Sequence, residues 1–134
     1  MVASKSVIEL TNLAANAIAE KIGTDIVAID MTEQMVLSEV FLIATGQNER
    51  QIEAIVDNVF EKLAEVGEKP IRREGKGGWV LLDYSDLVVH IQSQELRSYY
   101  MLERLWNDCP RIPLKVSQER WWTIYESSFG ATGR

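Results

Sequence analysis

A chain of 134 residues is one domain by length, and folding at that size removes roughly two-thirds of the unfolded surface from water, so a core forms without staples. The formal net charge of -6 and pI near 4.8 disfavour broad contact with phosphate backbones, which draw on counterion release by Lys and Arg, and favour basic proteins as partners. The lone Cys109 excludes an internal disulfide, and with His90 as the only imidazole there is no zinc ligand set. No apolar run nears the ~20 residues that span a bilayer, and Met1 to Ser6 lacks a signal-peptide apolar region, so a soluble protein in a reducing cytosol is expected.

The first predicted element is an amphipathic helix from about Ser6 to Ile22, where Leu10, Leu13, Ala14, Ala17 and Ile18 recur at helical spacing and Gly23 offers the stop. Asp25 to Met31 follows as a β-branched strand, and Thr32 to Gln34 as a polar connection. Ser38 to Gly46 is a second strand whose nearly continuous apolar run suggests a central position buried on both faces. Asn48 then caps a second helix, with Gln51 three residues on as in a capping box. Ile52, Ile55, Val56, Val59, Phe60 and Leu63 give it one apolar face, and Gly67 ends it.

Residues 68 to 78 form a polar connection holding the one cationic cluster, Lys69, Arg72, Arg73 and Lys76, which reads as a solvated loop. A short strand over Ile71 to Arg73 would take an edge position beside Pro70. Trp79 to Leu82 and Leu87 to Ile91 then form a hairpin around Asp83-Tyr84-Ser85-Asp86, whose Asp and Ser side chains bond nearby backbone in a tight turn. After Gln92 the spacing turns helical, with Leu102, Leu105 and Trp106 on one face, until Asn107 to Pro110 stops the run. This order predicts an α/β (α+β) fold with a mixed sheet flanked by helices. The domain is expected over 1–110. A C-terminal extension over 111–134 carries Trp121, Trp122, Ile124, Tyr125 and Phe129, which are expected to dock on this domain or on another chain.

The motifs of catalysis are missing. His90 sits in a strand as scaffold, with no Gly-x-Ser-x-Gly element to supply a nucleophile. Gly75-Lys76-Gly77-Gly78 has Val80 in place of the third Gly of the dinucleotide fingerprint, and no Walker-type Gly-Lys-Ser/Thr follows. No acidic residue is followed two positions later by another, so the paired carboxylates that grip catalytic metal ions are not evident, and Asp83 and Asp86 read as turn carboxylates. What remains is an aromatic and charged group: Trp79, Tyr84, Tyr99, Tyr100 and Trp106 with Asp83, Asp86 and Arg97. Trp106 and Leu102 are expected in the core, while Trp79, Tyr84 and Tyr100 are contact candidates, because exposed Trp and Tyr with charged neighbours serve as interface anchors.

Glu74-Gly75, Trp79-Val-Leu-Leu-Asp-Tyr-Ser-Asp-Leu-Val-Val-His90, Arg97, Tyr100, Leu102-Glu103 and Leu105-Trp106 together closely resemble the ribosomal silencing factor, or Iojap-like, family. The resemblance extends upstream through Asp25 to Asp30, Phe41 to Gly46, Arg50-Gln51, Ala54-Ile55 and Asp57, covering about Leu10 to Asp108. It implies a fold related to nucleotidyltransferases without their catalytic acids, no cofactor, and a non-enzymatic role. That role is binding the large ribosomal subunit through a protein of the L-fourteen family at the intersubunit face. The bound factor would block subunit joining and lower translation in starvation or stationary phase, with homodimers when free. Trp79, Asp83, Tyr84, Asp86, Arg97 and Tyr100 are the contacts this implies; a nucleotide-using enzyme on the same scaffold is the alternative. Two positions depart from the family pattern. Ser85 replaces the usual Gly before Asp86, and Glu39-Val40 replaces Asp followed by Tyr or Cys before Phe41.

Overall fold

The computed structural model describes residues 3–34 and 38–116; the aromatic segment from Trp121 to Phe129 lies outside the described residues. Helix α1 (Lys5–Glu20) begins at Ser4, whose hydroxyl accepts from the Val7 N–H, an orphan donor of the first turn. Strand β1 (Thr24–Asp30) runs antiparallel to β2 (Val40–Gly46), which is buried along its whole length, as its apolar run predicts. Helix α2 (Glu49–Glu65) is capped by Asn48, which accepts from Gln51 N–H at 2.8 Å. The Gln51 amide also donates to the carbonyls of Lys21 and Ile22, tying the start of α2 to the end of α1.

The expected short edge strand is longer than the sequence suggested, because the Gly-rich connection itself pairs. Strand β3 (Arg72–Lys76) is exposed throughout and pairs antiparallel with β4 (Trp79–Asp83). Gly75 sits at φ +89, and a Cβ there would lie 2.2 Å from the Trp79 carbonyl oxygen, so Gly75 to Gly78 is the tight end of a hairpin. Strand β5 (Leu87–Ser93) completes a five-stranded mixed sheet in the order β1-β2-β5-β4-β3, with β2 and β5 parallel at its centre and every other pair antiparallel.

Strand alternation divides the sheet's side chains between two cores. On one face α1 and α2 pack Ala14, Ile18, Ile52, Ile55 and Leu63 onto Leu42, Val80, Leu82, Val89 and Ile91. On the other, Ile29, Met31, Phe41, Ile43 and Val88 cluster, among the described residues, with Leu102, Cys109 and Trp106.

This packing depends on a break in the third helix, which the sequence spacing treats as continuous to Trp106. Helix α3 (Gln94–Tyr100) ends at Met101, a left-handed residue at φ 47 and ψ 54 whose N–H bonds the Arg97 carbonyl, and α4 (Leu102–Leu105) starts afresh. The turn brings Leu102 down onto the sheet and places the Trp106 ring edge-on to Phe41, with centroids 5.1 Å apart. The core expectation for Leu102 and Trp106 is met by this corner.

The expected domain boundary after Pro110 falls within continuous packing. Arg111 bridges Ile29, the Ile112 N–H bonds the Ala28 carbonyl at 2.9 Å, and Ile112, Leu114 and Val116 rest on the helical core. Among the described residues no helix is long and apolar enough to cross a membrane.

The β4–β5 turn carries the first departure from the family pattern. Asp83 Oδ1 accepts from the Ser85 N–H at 2.8 Å, and Ser85 is held at φ 77, where an L side chain is strained. Left-handed strain of about 1–2 kcal/mol outweighs the 0.5–1 kcal/mol of extra chain entropy that glycine brings. Ser85→Gly is therefore expected to raise stability by about 0.5 kcal/mol, and urea unfolding midpoints would check it.

Candidate functional site

The face of the sheet that α1 and α2 leave free is read from the register. Lys76, Glu74 and Arg72 of β3 stand opposite Trp79, Leu81 and Asp83 of β4, which in turn stand opposite Gln92, His90 and Val88 of β5. Directly opposed residues share a face. Over β5 and β2 this face is closed by α4 and Trp106; over β4 and β3 it is open, leaving Trp79, Leu81 and Asp83 half-buried and the β3 side chains exposed.

Aromatic rings line the boundary between the closed and open parts. Tyr99 packs edge-on to Tyr100, Tyr100 lies 4.9 Å from Trp79, Trp79 lies 6.0 Å from His90, and His90 lies 5.0 Å from Phe41. The Trp79 indole N–H donates to His90 Nδ1 at 3.2 Å, which fixes the imidazole proton on Nε2. Such a row buries much apolar area on a rigid sheet while leaving Tyr99, at 74% exposure, and Tyr100, at 48%, open to a partner.

His90 is scaffold, as its strand position suggests. Burial pushes its pKa down to about 4 from 6.5, so it is neutral at pH 7. The unfolded chain therefore binds a proton that the folded chain refuses between pH 6.5 and 4. Stability is full above pH 6.5 and falls as pH drops through that window, by about 3 kcal/mol in total. Urea unfolding at pH 7 and pH 5 should show about 2 kcal/mol more loss in the wild type than in His90→Phe, which retains a ring without the titration. An equal loss in both proteins would remove His90 as the source.

Arg97 is not a surface contact in this structure. It is 5% exposed, its Nε donates to both Glu103 carboxylate oxygens at 3.1 and 3.2 Å, and its Nη1 donates to Thr45 Oγ1 at 2.8 Å. The guanidinium spans α3, α4 and β2 and holds the corner at Met101, because its planar fork can serve two acceptors at once. Nothing in the local spacing marks Arg97, Thr45 and Glu103 as one group, since Thr45 is 52 residues from Arg97.

Tyr84 is likewise corrected from contact candidate to interior residue. At 7% exposure it packs in the core beneath α1, on the opposite side from Trp79, and its hydroxyl has no hydrogen-bond partner. Asp86 is exposed but lies with Tyr84 beside α1. Its carbonyl accepts from the N–H groups of Glu39 and Val40. Of the six residues singled out from the sequence, the structure thus brings Trp79, Asp83 and Tyr100 to one face, sets Arg97 behind them, and leaves Tyr84 and Asp86 elsewhere. Leu81 belongs with the first group, and strand alternation from Trp79 was the signal for it. Leu105, which the helical spacing sets on one face with Leu102 and Trp106, is an exposed apolar residue on α4, at 68% exposure.

The cationic cluster is dispersed by the same alternation. Arg72 pairs with Glu74 at 3.1 Å and Asp83 at 3.3 Å on the open face, while Arg73 turns to the helical side and pairs with Glu53 and Asp57 of α2. No cluster of three or more His, Cys, Asp or Glu suited to a metal ion occurs among the described residues.

The sequence matches the family described as ribosomal silencing factor during starvation over residues 4–128. A ribosomal silencing factor from Halalkalibacterium halodurans is 38% identical over 109 residues, covering 80% of this chain and 93% of that one. A more distant mouse relative, 25% identical over 71% of this chain and 44% of its own, is named for mitochondrial assembly of the ribosomal large subunit. Among solved structures, a crystal structure of a Chromobacterium violaceum protein superposes with a TM-score of 0.72 at 34% identity, covering 85% of this chain and 96% of that one. Five mixed strands, with α1 and α2 on one face and the α3–α4 corner over part of the other, agree with these matches: the chain belongs to the ribosomal silencing factor family.

Proposed function

We propose that this protein binds the large ribosomal subunit through the open face of β3, β4 and β5 and, once bound, occupies space that the small subunit needs. The observation that carries the reading is the row of partly exposed aromatics, Trp79, Tyr100 and Tyr99, beside the half-buried Asp83 carboxylate on a rigid sheet. A net charge of -6 suits a basic ribosomal protein, and complementary potential speeds association. In the proposal the partner is a protein of the L-fourteen family at the intersubunit face. Trp79, Asp83 and Tyr100 make the contacts, and Arg97 acts from behind by holding the α3–α4 corner.

Steric exclusion requires no turnover, so the protein acts as a cytoplasmic repressor of translation rather than an enzyme. The name of the mouse relative, which concerns large-subunit assembly, supports the choice of subunit. Tyr99, Tyr100, Met101 and Leu105 also form an exposed apolar strip through which the free protein pairs with a second copy. Self-association there would compete with ribosome binding. The deciding measurement is subunit joining on sucrose gradients. Saturating protein should shift assembled ribosomes toward free subunits, and unchanged joining would overturn the reading.

A further inference from the structure

The His90 imidazole lies in apolar surroundings on the face of the sheet opposite α1 and α2. It stands across from Ile43 of β2 and Leu81 of β4, and its ring is 5.0 Å from that of Phe41. An apolar ring would suit these neighbours and strand no polar atom, whereas His90 Nε2 is buried without a hydrogen bond. The hydrogen bond that His90 makes among the described residues is the one its Nδ1 accepts from the Trp79 indole N–H at 3.2 Å. What the imidazole adds over a phenyl ring is therefore an acceptor aimed at Trp79. Burial pushes its pKa down to about 4, which keeps that acceptor free of a second proton at neutral pH.

We propose that His90 is a positioning residue for the Trp79 contact: by accepting the indole N–H it selects the ring orientation in which a partner meets carbon and π-face rather than a hydrogen-bond donor. This rests on the ribosome-facing reading above. The terminal torsion of a tryptophan is broad and roughly two-fold, so the ring can turn over and carry its N–H to the other side. Half-buried between His90 and Tyr100, Trp79 is held against that turn by the bond to Nδ1. With the N–H already engaged, no buried donor is left unpaired when a partner covers the ring. The partner group that suits this surface is the stem and cationic head of an arginine or lysine laid on the ring. A carboxylate or phosphate, which would seek the N–H, does not suit it.

Nitrogen NMR of the wild-type full chain reads the tautomer directly. A proton on His90 Nε2 and a slowly exchanging Trp79 indole N–H are expected, the latter identified among the four tryptophans by its loss in Trp79→Phe. A proton on Nδ1 would overturn the proposal. Co-sedimentation with large subunits, at a temperature where each variant is folded, reads the consequence. His90→Phe, which keeps a ring and loses the acceptor, should weaken binding at least about fivefold, the scale of one stranded N–H. His90→Asn, whose side-chain oxygen can stand in for Nδ1, should recover part of that loss. In the Trp79→Phe background, His90→Phe should change affinity by less than about twofold, because a phenyl ring has no N–H to orient. Equal weakening in both backgrounds would assign His90 a merely structural role and overturn the proposal, as would undiminished binding by His90→Phe where the wild type binds. If the wild type itself does not bind, the ribosome-facing reading falls, and this proposal with it.

Discussion

Arg97→Ala is expected to lower the free energy of unfolding by about 3 kcal/mol, the scale set by breaking a buried ion pair and emptying its volume. The guanidinium is nearly inaccessible and joins three elements, so its loss leaves Thr45 Oγ1 without that donor and frees the Glu103 carboxylate from the only cation that holds it among the described residues. Arg97→Lys should recover only part of the loss, because a single ammonium cannot reach a carboxylate and a hydroxyl on two sides with fork geometry. Glu103→Gln should cost about 1 kcal/mol, since the Glu103 side chain is 29% exposed and an amide still accepts a hydrogen bond. Urea unfolding of the three variants orders these effects. Arg97→Ala with wild-type stability would show that the α3–α4 corner stands without it.

Trp79→Ala is expected to weaken binding to the large subunit by at least about 2 kcal/mol, or roughly thirtyfold, the loss typical of a central aromatic anchor. The same change also removes the contact to Tyr100 and the hydrogen bond to His90, so a stability loss of about 1–2 kcal/mol accompanies it. Trp79→Phe separates the two effects: it keeps a ring against Tyr100, loses the indole donor, and should retain most of the affinity. Binding measured by co-sedimentation, at a temperature where circular dichroism shows each variant folded, gives the comparison. Wild-type affinity in folded Trp79→Ala would remove Trp79 from the contact surface.

Both predictions depend on which parts of this protein its sequence could disclose. Period-two and helical spacing located the strands and the helices, because each pattern reports the side chains that a given backbone turns inward. The Asn48 cap, the fully buried β2 and the edge position of β3 follow from residues close in sequence. The joint spacing from Glu74 to Trp106 was enough to indicate the family, and the family match over residues 4–128 agrees with it. The same local reading treated the segment after Gln92 as one helix, since Leu102, Leu105 and Trp106 keep helical spacing across the left-handed Met101. It also grouped Trp79, Tyr84, Asp86 and Arg97 as one surface because they are near in sequence.

By itself, then, the sequence determined the elements, their apolar faces and the absence of recognisable catalytic motifs, all properties of neighbours along the chain. Only the tertiary structure decided that β5 inserts beside β2, that α1 and α2 cover one face while a broken α3–α4 corner half-covers the other, and that Tyr84 and Arg97 point inward. The physical reason is that burial and ion pairing depend on distance in space. Arg97 meets Thr45 across 52 residues, and Tyr84 is separated from Trp79 by the thickness of the sheet that holds them both.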